Sequence, residues 1–122
     1  MSATEKCLLR QKEFADLVAA SLHYFDNDRY VLSDFVVMPN HVHVLVQFPS
    51  EGQLKTQCRS WKHFTATEIH RRLARKGHFW QGESFDHLVR SEEQYRFLRQ
   101  YIAANPQKAN LSPGEFVHYR KA

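Results

Sequence analysis

His41-Val42-His43 is the only place in the chain where two histidines stand two residues apart. In a strand, residues at that spacing leave the same side, about 7 Å apart. Two neutral imidazoles placed so can converge on one divalent transition-metal ion, while Val42 anchors the strand from its other side. An ordinary solvated strand face is the competing reading, and a chain with eight histidines reaches it easily. Tyr101 and Asn105 form a second constellation. Four residues apart in a helical segment, they share one face, one turn from each other. A phenol there can act as a nucleophile and an amide oxygen can ligate a metal, although packing and a helix end before Pro106 would use the same residues. Tyr24, Tyr30, Tyr95 and Tyr119 are rivals by residue type. A third feature is a basic segment that includes Lys55, Arg59, Lys62, Arg71, Arg72, Arg75 and Lys76, with Trp61 and His63 interleaved. Such a face is either solvated or able to hold phosphates and stack a base.

The elements that must position these residues can be read from periodicity. Phe14, Leu17, Val18, Leu22 and Phe25 recur at helical spacing, and Asp26-Asn27-Asp28 ends that helix with turn chemistry. Tyr30 to Val37 is a strand-like run rich in β-branched and aromatic residues. Met38-Pro39-Asn40 breaks it, and His41 to Phe48 alternates. Val42, Val44, Val46 and Phe48 then share one face, and His41, His43, Leu45 and Gln47 the other. The two runs predict an antiparallel hairpin. Leu54, Cys58, Trp61, Phe64 or Thr65, Ile69 and Leu73 make the stripe of a second helix, with Gly77 as its stop. Phe85 to Val89 reads as a short strand. Ser91 with Gln94 is a capping box that opens a third helix, which Pro106 is expected to end. Residues 107–122 read as an irregular tail. The order predicts one α+β domain over 1–122.

Composition narrows the classes further. At 122 residues, with 43% hydrophobic and 25% charged, the chain is one globular domain rather than a disordered one. Its apolar runs are too short to cross a bilayer, and residues 1–12 lack the apolar stretch of a signal peptide. Two cysteines make no disulfide framework, so a reducing, cytoplasmic setting is expected. Lys and Arg number 17 against 13 Asp and Glu, and this net charge of +4 suits a polyanionic partner.

The run Val36-Val37-Met38-Pro39-Asn40-His41-Val42-His43-Val44-Leu45 resembles the histidine-hydrophobe-histidine (HUH) signature of single-tyrosine transposases, and more narrowly the REP-associated tyrosine transposases. Trp61-Lys62-His63-Phe64-Thr65-Ala66, then Phe79-Trp80-Gln81 with Phe85-Asp86-His87-Leu88-Val89-Arg90, then Tyr101-Ile102-Ala103-Ala104-Asn105-Pro106 are similar to three further family segments in the same order. The likeness covers about Phe14 to Leu111. It implies a ferredoxin-like antiparallel sheet, expected here with helices on one face. It implies that His41, His43 and Asn105 bind Mg²⁺ or Mn²⁺. Tyr101 would cleave single-stranded DNA carrying hairpin elements and become joined to its 5′ phosphate. Lys55, Arg59, Lys62, Arg71 and Arg90 would contact DNA, and the protein would act as a monomer or homodimer without a membrane.

The sequence departs from that family at both ends. Helix-forming sequence begins almost at once, with only Leu8-Leu9 as a stub where the family has a central first strand, and the family's usual C-terminal tail is lacking. Loss of a central strand would leave neighbouring backbone groups unpaired unless those strands close on each other or another chain pairs with them. Three functions follow: an active nuclease and strand-transferase; a hairpin-binding remnant that no longer cleaves; or an unrelated metal protein using His41 and His43 with His87 or His63.

Overall fold

The β-branched and aromatic run from Val31 to Met38 forms strand β1, and His41–Gln47 returns beside it as β2. The two pair antiparallel with Phe35 opposite Val44, Val36 opposite His43 and Val37 opposite Val42. These relations come from a computed structural model that describes residues 1–3, 8–81 and 89–122. Helix α1 spans Lys12–Tyr24, α2 spans Glu51–Leu73 and α3 spans Glu92–Lys108. A third strand, β3 (Val117–Arg120), completes the sheet in the order β2-β1-β3. The architecture is α+β: three antiparallel strands in one open sheet with three helices. No helix among the described residues is long and apolar enough to cross a membrane.

β1 lies in the middle and is buried on both sides from Leu32 to Met38. Its alternate residues feed two separate cores. Leu32, Phe35 and Val37 join Phe14, Val18, Leu22, Trp61 and Ile69 of α1 and α2. Val36 and Met38 join Leu45 of β2 and Ile102 of α3. Helices therefore cover both faces, which corrects the expectation of helices on one face. A central strand with no polar side has to be covered twice, because an apolar sheet face left to water forfeits about 25 cal/mol for each Å² it could have buried. A bulge between Leu32 and Asp34 puts an extra residue into β1. Ser33 and Asp34 consequently both face α3, where they meet Tyr95 and Arg99.

The irregular tail expected over 107–122 is also corrected. Pro106 lies inside α3, and the helix continues to Lys108, with Ala109 N–H donating to the Asn105 carbonyl at 3.1 Å. Proline has a helical φ but no N–H, so the Ile102 carbonyl loses its usual donor, and the helix runs only two residues past Pro106. Farther on, Val117 pairs with Val37 and Tyr119 with Phe35, and both side chains pack on the α1/α2 core. Among the described residues β1 pairs directly with β2 on one edge and with β3 on the other, so its backbone groups are bonded on both sides. Among the described residues no strand precedes α1. Met1–Ala3 forms only isolated bridges, Ser2 with His41 and Ala3 with Trp80, and Leu8–Arg10 is a 3-10 turn with Leu8 and Leu9 buried.

α2 stops at Leu73, four residues before Gly77. Ala74 takes the left-handed conformation at φ 53°, and Arg75 N–H donates to the His70 carbonyl at 2.9 Å. Of the two residues competing for its apolar stripe, Thr65 is buried, while Phe64 is half exposed. The Thr65 hydroxyl donates to the Trp61 carbonyl at 2.7 Å and accepts the Trp80 indole N–H at 2.9 Å, so a polar side chain is satisfied there. The strand expected over Phe85–Val89 lies, apart from Val89, outside the described residues.

Candidate functional site

β2 alternates as its sequence requires. Val42 is buried in the α1/α2 core, while His41 and His43 emerge half-buried on the α3 face beside Leu45. Their rings are 4.3 Å apart between centroids, at 65° to each other. The Nδ1 atom of His41 meets the Ser2 hydroxyl at 2.5 Å. Ser2 is itself fixed by backbone bonds around it: Val42 N–H donates to the Met1 carbonyl at 2.8 Å, Ala3 N–H to the Asn40 carbonyl at 2.9 Å, and Gln81 N–H to the Ser2 carbonyl at 2.7 Å. A hydrogen bond to one ring nitrogen selects the tautomer and leaves the other nitrogen for a ligand. Burial lowers the pKa of His41. His43 is lowered to about 4, by burial first, then by the charge on His41 and by the N-terminal ammonium. Near neutral pH both are neutral imidazoles, the form that donates a lone pair to a cation.

α3 brings the phenol. Ser91 caps the helix, its hydroxyl accepting the Gln94 N–H at 3.1 Å, and Gln94 reaches back to the Arg90 N–H at 2.7 Å. Ile102 plugs the small core above Val36, Met38 and Leu45, which turns the preceding residue toward the histidines. The Tyr101 ring stands edge-on to His43 at 5.6 Å and is 39% exposed. Phe97, one turn earlier, stacks beside it at 6.4 Å and 27°, and the Lys108 ammonium lies 5.5 Å from its centroid. Asn105 is one turn beyond Tyr101, and its Nδ2 donates to the Tyr101 carbonyl at 3.0 Å.

The structure thus brings His41, His43 and Tyr101 together. Asn105 shares the helix face of Tyr101, its amide nitrogen bonded to the Tyr101 carbonyl, and its amide oxygen is the atom able to ligate a cation. Among the described residues no group of three or more His, Cys, Asp or Glu converges. Two neutral imidazoles and an amide oxygen fit a divalent cation that takes its remaining ligands from water or substrate oxygens.

The rival tyrosines are otherwise employed. The Tyr95 hydroxyl is in a close hydrogen bond with the Ser33 hydroxyl, and the Arg99 guanidinium lies over its ring. Tyr30 is buried and donates to the Leu22 carbonyl at 2.6 Å. Tyr119 stacks on Phe35 in the other core, and Tyr24, though exposed, stands edge-on to Phe25 beyond the end of α1. The basic residues of α2 do not stand on the histidine side of the sheet. α2 packs on the opposite face of the sheet, so the stripe with Lys55, Arg59 and Lys62 belongs to the other side. Arg71 is further committed to Glu68 in an ion pair at 2.7 Å. Arg90 is exposed just ahead of α3, on the histidine side of the sheet. His87 lies outside the described residues, and His63 is exposed on α2.

Ser2 is the site residue that sequence reasoning missed. It is 39 residues from His41, and nothing in a lone serine near helix-forming sequence announces it.

Over residues 6–105, which hold His41, His43, Tyr101 and Asn105, the chain matches the family model described as transposase IS200 like. No curated protein and no solved structure matches it.

Proposed function

Because the chain belongs to the IS200-like transposase family, we propose that it cuts and rejoins single-stranded DNA through a covalent bond between Tyr101 and a 5′ phosphate. We further propose that hairpin-forming palindromes are its substrate, as the resemblance to the REP-associated branch implies. The observation that carries this reading is the meeting of one phenol, from the C-terminal half of α3, with a pair of neutral imidazoles on β2.

The division of labour follows from the chemistry. A phosphodiester is negatively charged and repels an incoming oxyanion. Held by His41, His43 and the Asn105 oxygen, a divalent cation would supply charge neutralisation at the non-bridging oxygens. The phenolic oxygen of Tyr101 forms a bond to phosphorus as the bond from phosphorus to the 3′ oxygen breaks. The phenol gives up its proton, and the departing 3′ oxygen takes one up. One phosphoester replaces another, so the reverse step joins a new 3′ hydroxyl without ATP. Ser2 keeps the His41 ring in one orientation while this happens.

The test is incubation of the full chain with a labelled hairpin oligonucleotide and Mn²⁺, followed by denaturing electrophoresis. A slow-migrating protein–DNA adduct, lost in Tyr101→Phe and in His43→Ala, is the expected result. An adduct that survives Tyr101→Phe moves the nucleophile elsewhere. Hairpin binding with steep salt dependence but no adduct under any metal describes a binding remnant instead.

A further inference from the structure

We propose that Phe97 is the stacking platform for a base of the single-stranded DNA that flanks the cleaved phosphodiester, an inference that rests on the strand-transfer reading above. Four rings follow one another outward from β2: His41 to His43 at 4.3 Å, His43 to Tyr101 at 5.6 Å, and Tyr101 to Phe97 at 6.4 Å. The first two are polar and half-buried. The last is a plain hydrocarbon ring, 62% exposed, and it belongs to neither of the two cores. Its folding contribution is therefore small, and its conspicuous neighbour is Tyr101.

Phe97 and Tyr101 are the large apolar side chains that α3 leaves to solvent among the described residues, while Glu92, Glu93, Arg96 and Gln100 are among its other exposed positions. A patch of two nearly parallel rings beside a phosphate-reacting group has the form that nucleobases recognise, since every base has a π face. The Lys108 ammonium beside the Tyr101 ring adds the positive charge that the strand's phosphates require. One helical turn separates the two rings, about 6 Å along the axis, so a phosphate at Tyr101 has its own or the adjacent base within reach of Phe97. Such a contact tolerates any base and fixes where along the strand the phosphodiester meets the phenol. Phe97 then sets the register of cleavage without reading sequence.

The experiment measures binding by the full chain, in EDTA so that nothing is cut, of a fluorescent hairpin oligonucleotide with single-stranded flanks. Phe97→Ala is expected to weaken binding about tenfold, the loss typical of one stacked base. Phe97→Leu, apolar but without a π face, should behave like Phe97→Ala. Phe97→Trp should retain affinity, and its added indole fluorescence should fall on binding. An abasic nucleotide at one flank position should weaken the unaltered protein equally and leave Phe97→Ala no weaker than before. The proposal is overturned if Phe97→Ala binds as tightly as the unaltered chain, or if no abasic position shares its loss. It is also overturned if Phe97→Ala turns a dimer into a monomer in sedimentation while DNA affinity stays, which gives the patch to a second copy. An unaltered chain that fails to bind hairpin DNA removes the strand-transfer reading as well, so the two failures are distinguishable.

Discussion

The two faces of the sheet are built by different means. Among the described residues, the face under α1 and α2 buries sixteen core residues, whereas the face under α3 buries four: Val36, Met38, Leu45 and Ile102. What α3 lacks in apolar contact it makes up with polar attachment. The Asp34 carboxylate, fully buried, accepts from the Ser33 hydroxyl at 2.5 Å and from Arg99 Nε at 2.8 Å, and Arg99 Nη2 donates to the Lys121 carbonyl at 2.5 Å. The second carboxylate oxygen has no partner among the described residues. The large dry face holds the fold. The small wet face holds α3, and a helix with few buried apolar contacts opens at low cost, which on the proposed mechanism would let Tyr101 approach and leave a phosphate.

The largest effect is expected at Phe35, which reaches into the large core. Phe35→Ala should cost about 3–5 kcal/mol and bring the whole chain close to unfolding in urea. Ile102→Ala, deleting the plug of the small core, should cost nearer 2 kcal/mol, because α3 can settle into the space. Amide exchange should then quicken in α3 and stay slow in α1. Equal acceleration in both helices would mean that the two faces form one cooperative unit.

The Asp34–Arg99 pair gives the next test. Arg99→Met strands a buried carboxylate and should cost about 3 kcal/mol. Adding Asp34→Asn should recover most of that loss, because an amide needs no cation. If the double variant is as unstable as the single one, the pair is not what fastens α3.

The histidine pair confines a smaller effect to acid. Folded His43 takes a proton only near pH 4, whereas an unfolded histidine does so near 6.5. Between those values the unfolded chain binds more protons, so stability is full above about 6.5 and falls as pH drops toward 4. In EDTA the melting temperature should decline across that window, and His43→Gln should flatten the decline. A slope unchanged by His43→Gln would place the proton uptake elsewhere.

Much of this contrast was legible in the residues, though not its two-sidedness. Period two in β2 put His41, His43 and Leu45 together, because alternation is fixed by the pleat itself. The Tyr101–Asn105 spacing gave a shared helix face for the same local reason. The two-sided burial of β1 was not read from its continuous apolar run, which lacks the alternation that marks a face. β3 carries an alternating signal in Val117, His118, Tyr119 and Arg120, but four residues in a polar tail are too few to stand out from chance. Neither the Ser2–His41 contact nor the placement of Lys55 and Arg59 behind the sheet could be read. Both depend on which segments meet in space, and periodicity is silent on that.

The smallest effect separates the helices by how they begin. Ser50 before α2 and Ser91 before α3 have nearly the same extended backbone, φ −148° and ψ 156° against φ −153° and ψ 161°. Only Ser91 uses its hydroxyl to cap, accepting from Gln94 N–H. Ser91→Ala should therefore cost about 1 kcal/mol and lower the melting temperature by about 4 °C, with faster exchange at the first amides of α3. Ser50→Ala should change little, because α2 is secured by Trp61 and Ile69 rather than by its cap. If both substitutions cost the same, α3 is fastened no differently from α2. The physical basis for a readily displaced Tyr101 would then fail while the fold itself stood.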